Sequence, residues 1–115
     1  PEDDGIKSDF LTNYKNIEKL DQQIGLIISQ LKADGLYDNT IIFFFSDHGG
    51  PFPHYKRSIY ETGLRCPMVA KWNDDAWKGN TYQLVSFVDF APTILDAANI
   101  KREFPFEGVS FFKKE

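Results

Sequence analysis

Between residues 9 and 33 the apolar positions recur with helical spacing. Tyr14, Ile17, Ile24, Ile28 and Leu31 lie three, four or seven residues apart, which places them on one stripe of a helix. Ser8 or Asp9 can cap its start. Gly35 is expected just past its end, where a left-handed residue closes a helix. Residues 1–7, Pro-Glu-Asp-Asp-Gly-Ile-Lys, are mostly polar and read as a flexible lead-in. Asp21 interrupts the stripe where a hydrophobe is expected. Buried without a partner it would be costly, so it should accept hydrogen bonds from nearby backbone.

The pattern then changes from periodic to continuous. Thr40 to Phe45 is a run of strand-favouring residues without a charge, and it ends abruptly in Ser46-Asp47-His48-Gly49-Gly50. Such a run reads as a strand buried on both faces, and the paired glycines as a turn with unusual backbone angles. Helix, short turn (36–39) and buried strand make half of a βαβ unit. The prolines of Pro51-Phe52-Pro53-His54-Tyr55-Lys56-Arg57 rule out regular structure there, leaving a loop across the strand end. A helical turn fits Ser58 to Gly63. Met68 to Trp72 reads as a second strand, residues 73–80 as a polar loop and Leu84 to Val88 as a third strand. Asp89 is placed to cap a second helix, with Pro92 in its first turn and Asn99 at its end. Residues 101–115 are irregular. The expected architecture is α/β.

Composition narrows the class. The chain has 115 residues, 42% hydrophobic and 26% charged, with 11 Phe and 5 Tyr. That is one domain or part of one, with ample material to bury. It begins at Pro1 rather than Met, which suggests a piece of a longer protein, and it shows no signal peptide. A net charge of −4 argues against nucleic-acid or membrane-surface binding. No apolar run approaches the roughly 20 residues of a membrane span. Cys66 is the only cysteine and cannot form an internal disulfide, so the redox compartment stays open.

The strand end carries the candidate chemistry. In open α/β sheets, ligand sites form at the carboxyl ends of strands. Asp47 and His48 can give one cation two ligands there. The carboxylate suits Ca²⁺ or Mg²⁺ and the imidazole Mn²⁺ or Zn²⁺; alternatively, Asp47 caps the turn and His48 bonds the backbone. Lys56 can bind a tetrahedral oxyanion and stabilise charge growing on its oxygens. Arg57 can clamp a second oxygen pair bidentately. Either can equally be a surface cation. His54 is a proton donor to a leaving group or a plain loop histidine. Glu61 and Arg65, four apart, can pair or orient the Lys56 loop. Tyr60, Trp72 and Trp77 read as packing residues, with Trp77, in the most polar loop, the best candidate for a carbohydrate platform.

An ordered set of segments resembles the sulfatase family. It comprises Leu20-Asp21-Gln22-Gln23-Ile24-Gly25, Gly35-Leu36-Tyr37-Asp38-Asn39-Thr40-Ile41-Ile42, Ser46-Asp47-His48-Gly49-Gly50, Lys56, Tyr60-Glu61-Thr62-Gly63-Leu64-Arg65-Cys66-Pro67-Met68, Val88-Asp89-Phe90-Ala91-Pro92-Thr93-Ile94-Leu95 and Gly108-Val109-Ser110-Phe111. The segment Gly49-Gly50-Pro51-Phe52-Pro53-His54-Tyr55-Lys56-Arg57 is similar to sulfatases of the heparan N-sulfatase kind. The resemblance implies an alkaline-phosphatase-like three-layer α/β/α domain that hydrolyses sulfate esters or sulfamates. It implies a divalent cation, usually Ca²⁺ with Mn²⁺ or Mg²⁺ as alternatives, held in part by Asp47 and His48. It makes Lys56 the lysine that contacts sulfate. It also implies a formylglycine nucleophile, made from Cys or Ser within Cys/Ser-x-Pro/Ala-x-Arg. That signature is absent here; Arg65-Cys66-Pro67-Met68 lacks the downstream Arg, so Cys66 reads as a small buried hydrophobe.

On this reading the chain is the C-terminal part of a sulfatase catalytic domain, inactive alone, whose partners are the rest of that domain and a sulfated glycan or aryl sulfate. The family also suggests a periplasmic, secreted or lysosomal setting. A phosphodiesterase or phosphonate hydrolase of the same superfamily, and a non-catalytic anion-binding module, are the competing readings.

Overall fold

A computed structural model describes residues 3–73, 79–101 and 103–112. The chain divides into two compact units, Pro1–Trp77 and Lys78–Glu115. Trp77 and most of the polar loop read over residues 73–80 lie outside the described residues.

The first unit opens on a long helix, α1 (Asp4–Ala33). It starts five residues before the expected Asp9, because Asp3 and not Ser8 or Asp9 caps it. Asp3 Oδ1 accepts from the Gly5 and Ile6 amides at 2.8 and 3.2 Å, which satisfies two otherwise orphaned donors. Asp4 in the first turn opposes the helix dipole and pairs with Lys7 at 3.3 Å, a favourable placement for an acid. Residues 4–7 are therefore helix, not a structureless lead-in. Gly35 closes α1 as expected, at φ 69°. The Leu36 amide reaches back to the Leu31 carbonyl at 2.9 Å, the long bond of a glycine-terminated helix. A short 3₁₀ turn, Tyr37–Asn39, leads into β1 (Ile42–Phe45).

β1 pairs antiparallel with β2 (Met68–Lys71), with Ile42 opposite Lys71 and Phe45 opposite Met68. Between them lies α2 (Glu61–Leu64), one helical turn. The expected burial of β1 on both faces is not met. Phe44 and Phe45 are 38% and 43% exposed, since β2 covers one edge of β1 and no element of this unit covers both faces. Phe43 packs edge-on against Trp72, with ring centroids 5.2 Å apart, so Trp72 is a packing residue. Lys71 reaches across to the turn before β1. Its Nζ donates to the Tyr37 and Thr40 carbonyls at 2.6 and 3.0 Å and lies over the Tyr37 ring.

The second unit is built around α3 (Phe90–Ala97), which a 3₁₀ turn, Phe87–Asp89, introduces. The expected third strand at 84–88 does not form. Tyr82 and Leu84 are exposed and find no strand partner among the described residues, and Ser86 instead opens a capped turn. Asp89 occupies the N-cap position of α3, but its carboxylate does not cap that helix. Oδ2 accepts from the Ser86 amide at 2.7 Å and Oδ1 from the Val109 amide at 2.8 Å. Thr93, fully buried, donates to the Asp89 carbonyl at 2.6 Å and accepts from the Phe111 amide at 3.0 Å. Phe111 packs edge-on to Phe90. Asn99 ends the helix at φ 53°.

Among the described residues the buried apolar side chains are Phe111 and Pro92, both in the second unit, and α1 buries none. Tyr14 and Ile17 of the apolar stripe are more than half exposed. Asp21 is exposed as well, so it bears no burial penalty and makes no hydrogen bond to neighbouring backbone.

Candidate metal and anion site

The end of β1 is shaped by a turn that a serine and two glycines hold. Ser46 Oγ donates to the His48 carbonyl at 2.7 Å. His48 Nδ1 lies 2.7 Å from the Gly49 carbonyl oxygen. A carbonyl only accepts, so Nδ1 carries a proton in this arrangement, and a lone pair, where the ring has one, is on Nε2. Nε2 lies 3.5 Å from Asp47 Oδ2. Of the two arrangements open for His48, bonding to the backbone is the one seen, through Nδ1, and Nε2 lies beside the neighbouring carboxylate.

This donor set suits a divalent cation. Ligands about 2.4 Å from one Ca²⁺ and at right angles to each other stand about 3.4 Å apart, close to the observed spacing. A backbone carbonyl on the other ring nitrogen is the usual second partner of a metal-bound imidazole. Asp47 is largely exposed and His48 half-buried, so both atoms are accessible. Among the described residues no third His, Cys, Asp or Glu joins them. What is present is two adjacent side-chain donors, not a closed site.

The loop of residues 51–57 folds back on this turn. The Lys56 amide donates to the Gly50 carbonyl at 3.0 Å and the Gly49 amide to the Gly63 carbonyl at 3.2 Å. Thr62 Oγ1 donates to the His54 carbonyl. The glycines are required by close approach. A Cβ on Gly49 would fall 1.9 Å from the Thr62 carbonyl oxygen, and one on Gly63 2.3 Å from that of Tyr55. Loop and turn are thus joined backbone to backbone.

His54 and Arg57 sit at φ 65° and 60°, a region that side chains other than Gly seldom occupy. Backbone held there by its surroundings is a common feature of functional loops. The His54 ring packs edge-on against Tyr60 at 5.0 Å. Lys56 and Arg57 are exposed and form no ion pair with Asp47 or any other acid among the described residues. The structure therefore brings Asp47 to His48, and the Lys56 backbone to the glycine turn. It does not bring the side chains of His54, Lys56 or Arg57 onto the carboxylate–imidazole pair. Glu61 and Arg65, both exposed, do not pair. Cys66 is half-buried, its Sγ 3.8 Å from the Gly63 carbonyl oxygen.

Two supports of this site escape sequence reading. Phe10 of α1 stacks on Phe52 at 4.1 Å and 12° between ring planes, and Tyr55 packs edge-on to Phe52; this ties the loop to a helix some forty residues earlier. Gly63 was visible as a glycine, but only the fold shows that it faces Gly49.

A sequence profile of the family described as Sulfatase matches residues 3–100. An ulvan-active sulfatase of Formosa agariphila is 46% identical over 112 residues, covering 96% of this chain and 19% of its own length. A sulfatase of Escherichia coli, YdeN, is 40% identical over 109 residues, with 84% of this chain and 20% of its own length covered. Human N-sulphoglucosamine sulphohydrolase is 30% identical over 98 residues, with 84% and 20% covered. The chain spans about a fifth of the length of the curated relatives it matches.

Proposed function

The chain belongs to the sulfatase family, and we propose that it forms the C-terminal part of a catalytic domain that hydrolyses sulfate esters or sulfamates of glycans. In that domain, an alkaline-phosphatase-like three-layer α/β/α fold, it contributes part of a metal site and part of a sulfate clamp. The observation that carries this is the pair formed by His48 Nε2 and Asp47 Oδ2, 3.5 Å apart with the other imidazole nitrogen turned to the Gly49 carbonyl.

Asp47 and His48 hold a divalent cation, Ca²⁺ first and Mn²⁺ or Mg²⁺ as alternatives. When bound, the cation supplies positive charge that withdraws electron density from the sulfate oxygens. Lys56, on the loop tied to Gly50, places its ammonium against a sulfate oxygen and stabilises the charge that develops there. Arg57 spans a second pair of oxygens. His54 donates a proton to the departing sugar oxygen or nitrogen. The nucleophile, a formylglycine, and the remaining acidic ligands belong to residues outside this chain, which is therefore inactive alone. The glycan preference is supported by relatives named for ulvan and for N-sulphoglucosamine.

Lys56 is the residue to test. In the full-length protein Lys56→Ala should lower kcat on an aryl sulfate by about 10²–10³-fold with little change in thermal unfolding, because the side chain is exposed. An unchanged rate removes Lys56 from the site. Faster turnover of a bis-aryl phosphate diester than of the aryl sulfate would instead move the chemistry to phosphodiester hydrolysis.

A further inference from the structure

We infer that Thr62 is a positioning residue for Lys56: its hydroxyl holds the peptide between His54 and Tyr55, and so sets where the Lys56 ammonium can reach. The inference rests on the reading of Lys56 as the lysine that contacts sulfate, but the brace itself stands on the geometry of the loop. Two consecutive peptide planes lead into Lys56. The first is held at the His54 carbonyl, which accepts from Thr62 Oγ1. The second is held at the Lys56 amide, which donates to the Gly50 carbonyl at 3.0 Å. A peptide unit is planar, so fixing one of its polar atoms restricts the soft dihedrals on either side. The two bonds together restrict ψ of His54, both dihedrals of Tyr55 and φ of Lys56. His54 needs such a restraint. At φ 65° it occupies a region where a residue with a side chain stays only when its surroundings hold it.

Thr62 lies on α2, which is also bound to the turn of Asp47 and His48. The Gly63 carbonyl accepts from the Gly49 amide at 3.2 Å, one residue beyond His48. The same segment touches His54 a second time, since its ring packs edge-on against Tyr60 at the N-cap of α2. One helical turn thus spans both halves of the proposed site. Its backbone meets the acid–imidazole turn, and its Thr62 side chain meets the loop of Lys56. Thr62 is exposed, so water takes the place of the hydroxyl at the His54 carbonyl when the hydroxyl is removed, and the net loss of stability is small. What is lost is the direction of the loop, not the fold.

The test uses Thr62→Val, which keeps the shape and removes the donor, and Thr62→Ser, which keeps the donor, both in the full-length protein. Hydrogen exchange of peptides spanning the loop is measured alongside aryl sulfate turnover. In Thr62→Val the Lys56 amide should exchange several-fold faster, and kcat should fall about five- to tenfold, as befits one lost hydrogen bond. Thr62→Ser should restore both. In a Lys56→Ala background, Thr62→Val should lower kcat no further, because it acts through the ammonium already removed. Unchanged exchange at Lys56 in Thr62→Val overturns the inference, as does a fall in kcat that persists undiminished in the Lys56→Ala background. Faster exchange in Thr62→Val, in a protein whose Lys56→Ala variant turns over at the wild-type rate, would uphold Thr62 as the brace of the loop while contradicting the sulfate-clamp reading of Lys56.

Discussion

Gly49 and Gly63 lie where the proline loop rejoins the strand end, and neither has room for a methyl group: one on Gly49 would meet the Thr62 carbonyl and one on Gly63 the Tyr55 and Ser58 carbonyls. Gly63→Ala places a Cβ 2.3 Å from the Tyr55 carbonyl and 2.4 Å from that of Ser58, and backbone cannot yield as a flexible side chain would. We expect a loss of about 2–4 kcal/mol on denaturant unfolding of the full-length protein, with a fall in activity as the Lys56 loop is displaced. A variant of wild-type stability would show that loop and turn are not held together in this way. At this scale the place of Asp47 and His48, just beyond the end of β1, was legible in sequence, because the uncharged run ends there. The choice of nitrogen was not. That His48 Nδ1 is turned to the Gly49 carbonyl depends on a backbone conformation that no pattern of residue types encodes. Lys71 was equally invisible, since its carbonyl partners at Tyr37 and Thr40 are more than thirty residues earlier.

Elements were legible where a local cue decided them and illegible where a distant partner did. Gly35 closes α1 as read, because glycine meets the need for a positive φ by itself. The start was misplaced because Gly5 and the acidic residues resemble a lead-in, yet Asp3 uses one carboxylate oxygen to satisfy two amides. The third strand failed for a different reason. A strand exists only with a neighbour to take its hydrogen bonds, and Leu84 has none among the described residues. Asp89 was rightly identified as structural but was given the wrong task. It braces Ser86 and the distant Val109 rather than its own helix. Asp89→Ala should therefore cost about 2–4 kcal/mol, two hydrogen bonds to a charged acceptor, against the ~1 kcal/mol of an ordinary helix cap. Urea unfolding of the full-length protein distinguishes the two values, and a loss near the smaller one would assign Asp89 to simple capping.

At the scale of the whole molecule the chain has apolar material but scarcely a core. Of its described apolar side chains only Phe111 and Pro92 are buried, while Ile17, Leu26, Ile27 and Val69 are more than half exposed. Exposure on this scale is uncommon in self-sufficient domains and marks surface intended for cover. β1 and β2, as a sheet of two strands, leave unpaired edges that favour association. The isolated 115-residue chain should accordingly self-associate at micromolar concentration in sedimentation velocity and show no sulfatase activity. A monodisperse monomer with a sharp unfolding transition would argue for an independent module. No helix among the described residues is long and apolar enough to cross a membrane. The family was legible in sequence because its segments recur in order along most of the chain. The identity of a cation for the proposed site was not, because an Asp and a His suit several.

The claim on which the rest depends is that Asp47 and His48 belong to a metal site that serves sulfate hydrolysis. It is tested most directly by measuring bound divalent metal and aryl sulfate turnover on one preparation of the full-length protein carrying Asp47→Ala. Asp47 is exposed and braces nothing else, so folding should be retained. The account predicts loss of the metal together with a fall in turnover of about 100-fold or more. Full metal occupancy with wild-type turnover would contradict it.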